Sequence, residues 1–222
     1  MSQPQTLQYL FPTRVQKGEG ASLQLDWGGE PSPFGARREL EPNGALNRIT
    51  LRHNALSSKD CARVIALGES APPISAALER GHSAHYRTST VAWIEPTPDT
   101  HWLFHRLGLV FLEVNRAYGF ELVGFAEALQ FTVYHPGDHF DWHMDLGPGS
   151  VSGRKLTVSV LLSADGDYEG GDLEFLHTTG NPDDLKQGTA VFFPSYMAHR
   201  VAPVTRGIRR SLVAWAYGPT FR

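Results

Sequence analysis

Leu129-Gln130-Phe131-Thr132-Val133-Tyr134-His135-Pro136-Gly137-Asp138-His139-Phe140-Asp141-Trp142-His143-Met144-Asp145 is the stretch that decides how this chain is read. It opens by alternating apolar and polar side chains, passes a Pro-Gly turn and closes on His143-Met144-Asp145. Side chains two apart on an extended chain point to the same face, so the imidazole of His143 and the carboxylate of Asp145 are aimed together. They are two of the three ligands of a two-His, one-carboxylate iron site. Competitors stand close by. His139 and His143 share a strand face, Asp141-Trp142-His143 repeats the spacing backwards, and His135 and His177 are further decoys. A lone His on a strand is more often a core or surface residue than a ligand, so the pair by itself does not identify a metal site.

Working outward, a third ligand is available in Ala198-His199-Arg200-Val201, after the strand-and-turn run Gly188 to Ser195. It lies far from Asp145 in sequence, so the fold would have to assemble the set. Three protein ligands would leave three positions on the metal for substrates. The last strand adds a second element. Gly207-Ile208-Arg209-Arg210-Ser211-Leu212-Val213-Ala214-Trp215 places Arg209 and Ser211 on one face, and alternation turns Arg209 rather than Arg210 inward if Val213 and Trp215 face inward. An Arg in a half-apolar strand is costly unless its guanidinium meets an anion, and its planar fork suits a carboxylate, with the Ser hydroxyl adding a bond. Metal and clamp together imply a small dicarboxylate whose other end chelates the metal. The bland alternative is a surface charge beside Arg210.

The rest of the chain supplies the scaffold. Short strands are expected near 127–135, 139–144, 155–163, 172–176, 188–193, 198–204 and 208–216, separated by Pro136-Gly137, Gly147-Pro148-Gly149, Gly170-Gly171, Gly180-Asn181-Pro182 and Gly207. Before them, 46–52 and 86–95 read as strands. Ser57 with Asp60 forms a capping box for a helix from Ser58 to about Leu67, stopped by Gly68. Ile74 to Glu79 reads as one or two helical turns. Asp99 or Thr100 caps a second helix whose stripe Leu103, Leu107, Val110, Phe111 and Val114 is core-facing, with Gly119 at its end. Residues 1–45 read as an irregular extension. The fold class is therefore α+β, mainly β: a double-sheet roll buttressed by N-terminal helices.

Composition excludes several functions. A formal net charge of −3, from 20 basic and 23 acidic side chains, argues against a nucleic-acid partner. Cys61 is the sole cysteine, which rules out an intrachain disulfide or a Cys-based zinc site and fits a reducing cytoplasm. The opening Met1-Ser2-Gln3-Pro4 does not read as a secretory signal, and no run approaches the ~18 apolar residues of a membrane span. Arg87 reads as a surface salt bridge, with a substrate carboxylate as its other possible partner.

In combination, His143-x-Asp145, His199 and Arg209-x-Ser211 resemble the iron(II)- and 2-oxoglutarate-dependent dioxygenases, in their prolyl 4-hydroxylase-like, PKHD-type branch. Tyr134-x-x-Gly137-x-x-Phe140-x-x-His143-x-Asp145, Tyr168-Glu169-Gly170-Gly171-Asp172-Leu173-Glu174-Phe175 and the run His199 to Arg209 are similar to that branch, and the likeness covers roughly residues 46–217. The resemblance implies a double-stranded β-helix (jelly-roll) core, about 127–217, within a dioxygenase domain at 46–222 carrying two or three N-terminal helices. It implies that His143, Asp145 and His199 hold Fe(II), that Arg209 with Ser211 binds 2-oxoglutarate, and that Tyr134 contacts this cosubstrate. It further implies O2 as oxidant, ascorbate as reductant, release of succinate and CO2, and hydroxylation of a prolyl residue, a free amino acid or a related small molecule. A cupin-type metal enzyme without 2-oxoglutarate, or a non-enzymatic binding module, are the alternatives. Removing any of the three ligands discriminates between them.

Overall fold

The computed structural model describes residues 43–75, 86–176 and 185–220, together with two short strands nearer the N-terminus. The chain divides into two compact units, Met1–Gly44 and Ala45–Arg222. In the first, β1 (Arg14–Lys17) and β2 (Leu23–Asp26) form an antiparallel ladder where irregular chain is expected. Two four-residue alternations among glycines give too little periodicity to stand out.

The second unit is mainly β and antiparallel. In chain order its strands are β3 (Thr50–Arg52), β4 (Ile74–Ser75), β5 (Arg87–Thr88), β6 (Thr90–Ile94), β7 (Leu129–Tyr134), β8 (His139–His143), β9 (Arg154–Leu161), β10 (Tyr168–Gly170), β11 (Leu173–Phe175), β12 (Ala190–Pro194), β13 (His199–Val201), β14 (Val204–Gly207) and β15 (Arg209–Tyr217). A seven-stranded sheet runs β3-β12-β9-β15-β7-β6-β4, a four-stranded one runs β11-β13-β8-β5, and β10 pairs with β14. Two expected strands are each split. Residues 86–95 break at Ser89, so β5 joins the smaller sheet and β6 the larger. Residues 198–204 break at Ala202-Pro203, since proline has no N–H for a ladder.

Strand alternation sorts the side chains of the large sheet. Leu156, Val158 and Val160 of β9, Ala190 and Phe192 of β12, and Leu212, Ala214 and Ala216 of β15 join one core with the helices. The intervening residues face the other way, where Tyr134, Val191 and Phe193 pack with Leu173, Phe175 and Val201 of the smaller sheet. Helix α1 (Ser58–Ser70) begins with the expected capping box but runs past Gly68. A Cβ at that glycine would lie 2.2 Å from the Phe131 ring, so the residue allows close packing instead of ending the helix. Helix α2 (His101–Tyr118) ends at Gly119 with φ 70° and buries Leu103, Leu107, Phe111 and Val114, with Val110 partly covered. Thr100 stands at its N-cap without bonding a helix N–H. Its hydroxyl donates to the Glu95 carbonyl at 2.6 Å instead.

Ile74 and Ser75 pair with β6 instead of starting a helical turn. Residues 76–79, His177 and Gly180-Asn181-Pro182 lie outside the described residues. Among the described residues, no helix is long and apolar enough to cross a membrane.

Candidate functional site

Antiparallel pairing of β8 and β13 sets His199 opposite His143, and Asp145 follows β8 in a bend. The backbone N–H groups of Asp145 and Leu146 both donate to the Ser195 carbonyl at 2.9 Å, which fixes that bend. One ligand atom each from His143, Asp145 and His199 lies within 4.8 Å of the others. His143 Nε2 is 3.9 Å from Asp145 Oδ1, and His199 Nε2 is 3.7 Å from Oδ2. These separations exceed hydrogen-bond length; the atoms surround a shared point rather than bonding one another.

The other ring nitrogens are occupied. His143 Nδ1 lies 2.7 Å from the Asp141 carbonyl and His199 Nδ1 2.9 Å from that of Met197. A carbonyl can only accept, so each Nδ1 carries a proton and each Nε2 is the atom left for another partner. That arrangement is the one a metal requires. Burial pushes His143 down to about 3, with His199 and Arg87 acting in the same direction against the pull of Asp145, so the ring is neutral at pH 7 and its approach to Asp145 is no ion pair. Burial pushes the Asp145 carboxyl up, but His199, His143, Arg154 and a 2.9 Å bond from the Thr157 hydroxyl outweigh it and hold the group ionised. The set is thus two imidazole nitrogens and a carboxylate, a donor set suited to ferrous iron.

The trio borders a cavity of about 500 Å³ whose walls include Tyr134, Leu173, Phe193, Arg209, Ser211 and Trp215. That volume is in the range of small-molecule sites. Arg209 is only 2% exposed, and its Nε has no hydrogen-bond partner. Its guanidinium stands 5.6 Å from the ring of Tyr134, its partner across β7 and β15. Gly171, at φ 67°, makes room for the stem: a Cβ there would come 2.8 Å from Arg209 Cδ. Arg210 turns away and bonds Glu69 at 2.9 Å. A buried cation lacking an anion among the described residues, beside a hydroxyl and next to a metal-ligand trio, is suited to a carboxylate ligand.

The expected ligands therefore converge, and Arg209, Ser211 and Tyr134 line the same cavity. His135 is exposed, His139 contacts Thr88, and Asp141 contributes its carbonyl and not its carboxylate. Arg87 is not the surface salt bridge expected: it is 7% exposed and lines the cavity. Sequence reasoning passed over Arg154, whose Nε and Nη2 hold Glu127 at 2.6 and 2.5 Å and whose guanidinium lies 3.6 Å from the Trp215 ring. The strand expected from 155 left Arg154 just outside it, whereas β9 begins at Arg154, and there the argument that selects Arg209 applies equally to it. Phe140, part of the motif that carries the resemblance, stacks on the His143 ring at 3.4 Å between centroids, whereas Thr157 gave no comparable signal.

Comparison with known proteins agrees with this geometry. Residues 129–217 match the 2OG-Fe(II) oxygenase superfamily. A PKHD-type hydroxylase of Synechococcus sp. (strain CC9902) is 34% identical over 98 residues, covering 43% of this chain and 44% of that protein. One from Shewanella oneidensis is 37% identical over 90 residues, covering 38% of this chain and 40% of its own length. The matched region thus spans less than half of these relatives. A Pseudomonas putida prolyl-4-hydroxylase shares the fold with a TM-score of 0.58 at 21% identity, covering 79% of this chain and 95% of that one. A Trichoplax adhaerens prolyl hydroxylase, solved with a hypoxia inducible factor peptide fragment, gives 0.63 at 20% identity, covering 77% and 84%. Fe(II) and 2-oxoglutarate, which the superfamily implies, fit the residues present: the two Nε2 atoms and Asp145 suit the ion, and Arg209, whose Nε has no partner among the described residues, suits the free carboxylate of the oxoacid. Residues 129–217 of this chain are thus similar to the 2OG-Fe(II) oxygenase superfamily, and the relatives they match are PKHD-type hydroxylases.

Proposed function

We propose that the chain is an Fe(II)- and 2-oxoglutarate-dependent hydroxylase acting on a prolyl residue, a free amino acid or a related small molecule, within a jelly-roll domain at 46–222. The observation that carries this reading is one cavity bordered by both the His143, Asp145 and His199 trio and Arg209, whose buried Nε has no partner among the described residues. A cupin-type metal enzyme would give Arg209 no partner. With Fe(II), 2-oxoglutarate and O2 bound, the site would supply the oxidising power to hydroxylate a C–H bond, releasing succinate and CO2, with ascorbate as reductant.

The chain's own residues position and exclude. His143 and His199 turn their Nε2 atoms to the shared point because the Asp141 and Met197 carbonyls hold their Nδ1 atoms. Thr157 orients Asp145 through Oδ2. Arg209 and Ser211 would grip the distal carboxylate of the cosubstrate, and Tyr134 walls the same end. Phe193, Leu173 and Trp215 keep these groups away from bulk water, which strengthens every charged contact among them. The sole cysteine remains the argument for a reducing cytoplasm.

Anaerobic titration with Fe(II) and then 2-oxoglutarate tests the reading. A visible metal-to-ligand charge-transfer band is expected, lost in His143→Ala, Asp145→Ala and His199→Ala with the fold retained by circular dichroism. A wild-type protein that shows no band refutes it.

A further inference from the structure

The cavity holds a second buried cation that the cosubstrate leaves unused. Arg87 lies on β5 of the smaller sheet, whereas Arg209 lies on β15 of the larger one. Arg87 Nε donates to Ser89 Oγ at 2.9 Å, while its Nη2 is buried with no acceptor among the described residues. Its guanidinium sits 4.3 Å from the centroid of Phe140, and Phe140 stacks on His143 at 3.4 Å and 14°. One aromatic ring therefore separates Arg87 from a metal-ligand imidazole.

The third arginine of the cavity, Arg154, is already matched by Glu127. Arg87 has no such carboxylate among the described ion pairs. Burying a guanidinium without an anion is costly, and such a group is kept where a ligand completes it. On the reading above Arg209 would take the free carboxylate of 2-oxoglutarate and the other end would go to the metal, so the cosubstrate would leave Arg87 unmatched. The Trp215 indole N–H on the cavity wall is likewise buried without a partner among the described residues, a further donor awaiting an acceptor. Met144, 58% exposed at the same cavity, offers apolar contact.

We propose that the primary substrate carries a free carboxylate held by Arg87, so that it is an amino acid, another small carboxylic acid or the C-terminal residue of a peptide, and not a residue inside a polypeptide. This rests on the hydroxylase reading above. The stack of Arg87 on Phe140 on His143 places the carboxylate one ring away from the metal and so brings the neighbouring carbons of the substrate toward it.

The test uses the free L-amino acids, their C-terminal amides, and short peptides ending in an acid or an amide. Two readouts follow their binding to the full chain: perturbation of the anaerobic Fe(II)–2-oxoglutarate band, and quenching of tryptophan fluorescence, which needs no metal. Acids are expected to bind and the matching amides not to bind. The free and peptide arms separate the two sources of the carboxylate. Arg87→Gln should weaken acid binding about 10- to 100-fold, the value of a charge-assisted hydrogen bond, and Arg87→Lys should restore part of it. Both variants should keep the band given by Fe(II) and 2-oxoglutarate. The proposal is overturned if acids and amides bind alike, if no acid binds at millimolar concentration, or if Arg87→Gln binds acids as tightly as wild type. Loss of the band in Arg87→Gln, with the fold intact, would also overturn it by assigning Arg87 to the cosubstrate. If the wild-type chain gives no band, the hydroxylase reading fails, while the fluorescence arm still decides the carboxylate question.

Discussion

Arg209→Met should separate ligand binding from stability. A clamp of two charge-assisted hydrogen bonds, at about 1.5–3 kcal/mol each, is worth about 3–6 kcal/mol. At ~1.4 kcal/mol per decade the variant should bind 2-oxoglutarate about 10²- to 10⁴-fold more weakly. The metal-free protein should respond differently. Arg209 is 2% exposed with an unpartnered Nε, a defect that costs about 1–3 kcal/mol, and methionine fills comparable space without it. Loss of the Tyr134 ring contact at 5.6 Å offsets about 0.5–1 kcal/mol of that gain. Each kcal/mol moves Tm by about 2–4 °C in a domain of this size, so the variant should melt at or a few degrees above wild type. Calorimetric titration of 2-oxoglutarate into the anaerobic Fe(II) protein gives the first quantity, and thermal unfolding of the metal-free chain gives the second. A Kd change under tenfold would refute the clamp. A clear drop in Tm would show that Arg209 has a structural partner.

Other perturbations probe the supports of the site. Thr157→Val removes the 2.9 Å bond to Asp145 Oδ2, and metal affinity should fall about 10- to 100-fold in a competitive chelator titration; unchanged affinity would deny Thr157 its orienting role. Glu127→Gln strips the anion from buried Arg154 and should cost about 3 kcal/mol, read as a lower urea midpoint at constant slope, whereas an unmoved midpoint would mean that the pair is not holding the fold. Burial pushes the Cys61 thiol up to about 11 from an ordinary 9, with Asp60 adding to the effect. The unfolded chain then loses this proton before the folded one, so the stability it confers is intact below pH 9 and is lost as pH rises to 11. Cys61→Ala should flatten that part of the alkaline stability curve, and a curve of unchanged slope would contradict the assignment.

What the sequence made legible depends on periodicity and on cost. Alternation along β15 selected Arg209 over Arg210, and the structure puts Arg209, Ser211, Val213 and Trp215 on the cavity wall while Arg210 meets Glu69. His143 and Asp145 were legible as a pair because their spacing is local. Their meeting with His199 was legible only through the family resemblance, because it depends on β8 and β13 lying side by side, a pairing that no local pattern encodes. Gly68 misled for a related reason. A glycine near a helix end reads as a stop, yet here the Phe131 ring, distant in sequence, occupies the space of a Cβ. Arg87 was misread because burial, not residue type, distinguishes a surface ion pair from a binding group. The strand carrying Arg87 breaks at Ser89 and crosses to the smaller sheet, which its β-branched composition did not foretell.

Charge balance in the cavity links the two arginines to the order in which ligands enter. Arg154 and Glu127 cancel, and His143 is neutral. Arg87, Arg209 and a bound Fe(II) outweigh the charge on Asp145 by three. A doubly charged 2-oxoglutarate leaves one positive charge unmatched, and a substrate carboxylate at Arg87 completes the balance. A neutral substrate would leave Arg87 as a buried cation through the whole cycle, at a cost that a low-dielectric cavity magnifies. Each anion that enters lowers the attraction felt by the next. The doubly charged cosubstrate, which also gains the metal, therefore has the stronger drive to bind first, and the substrate then enters beside it at Arg87. Equilibrium binding should show this as tight 2-oxoglutarate affinity without substrate and substrate affinity that falls with added salt. Substrate binding that is indifferent to salt and to Arg87→Gln would mean that the acid group is not what the cavity recognises.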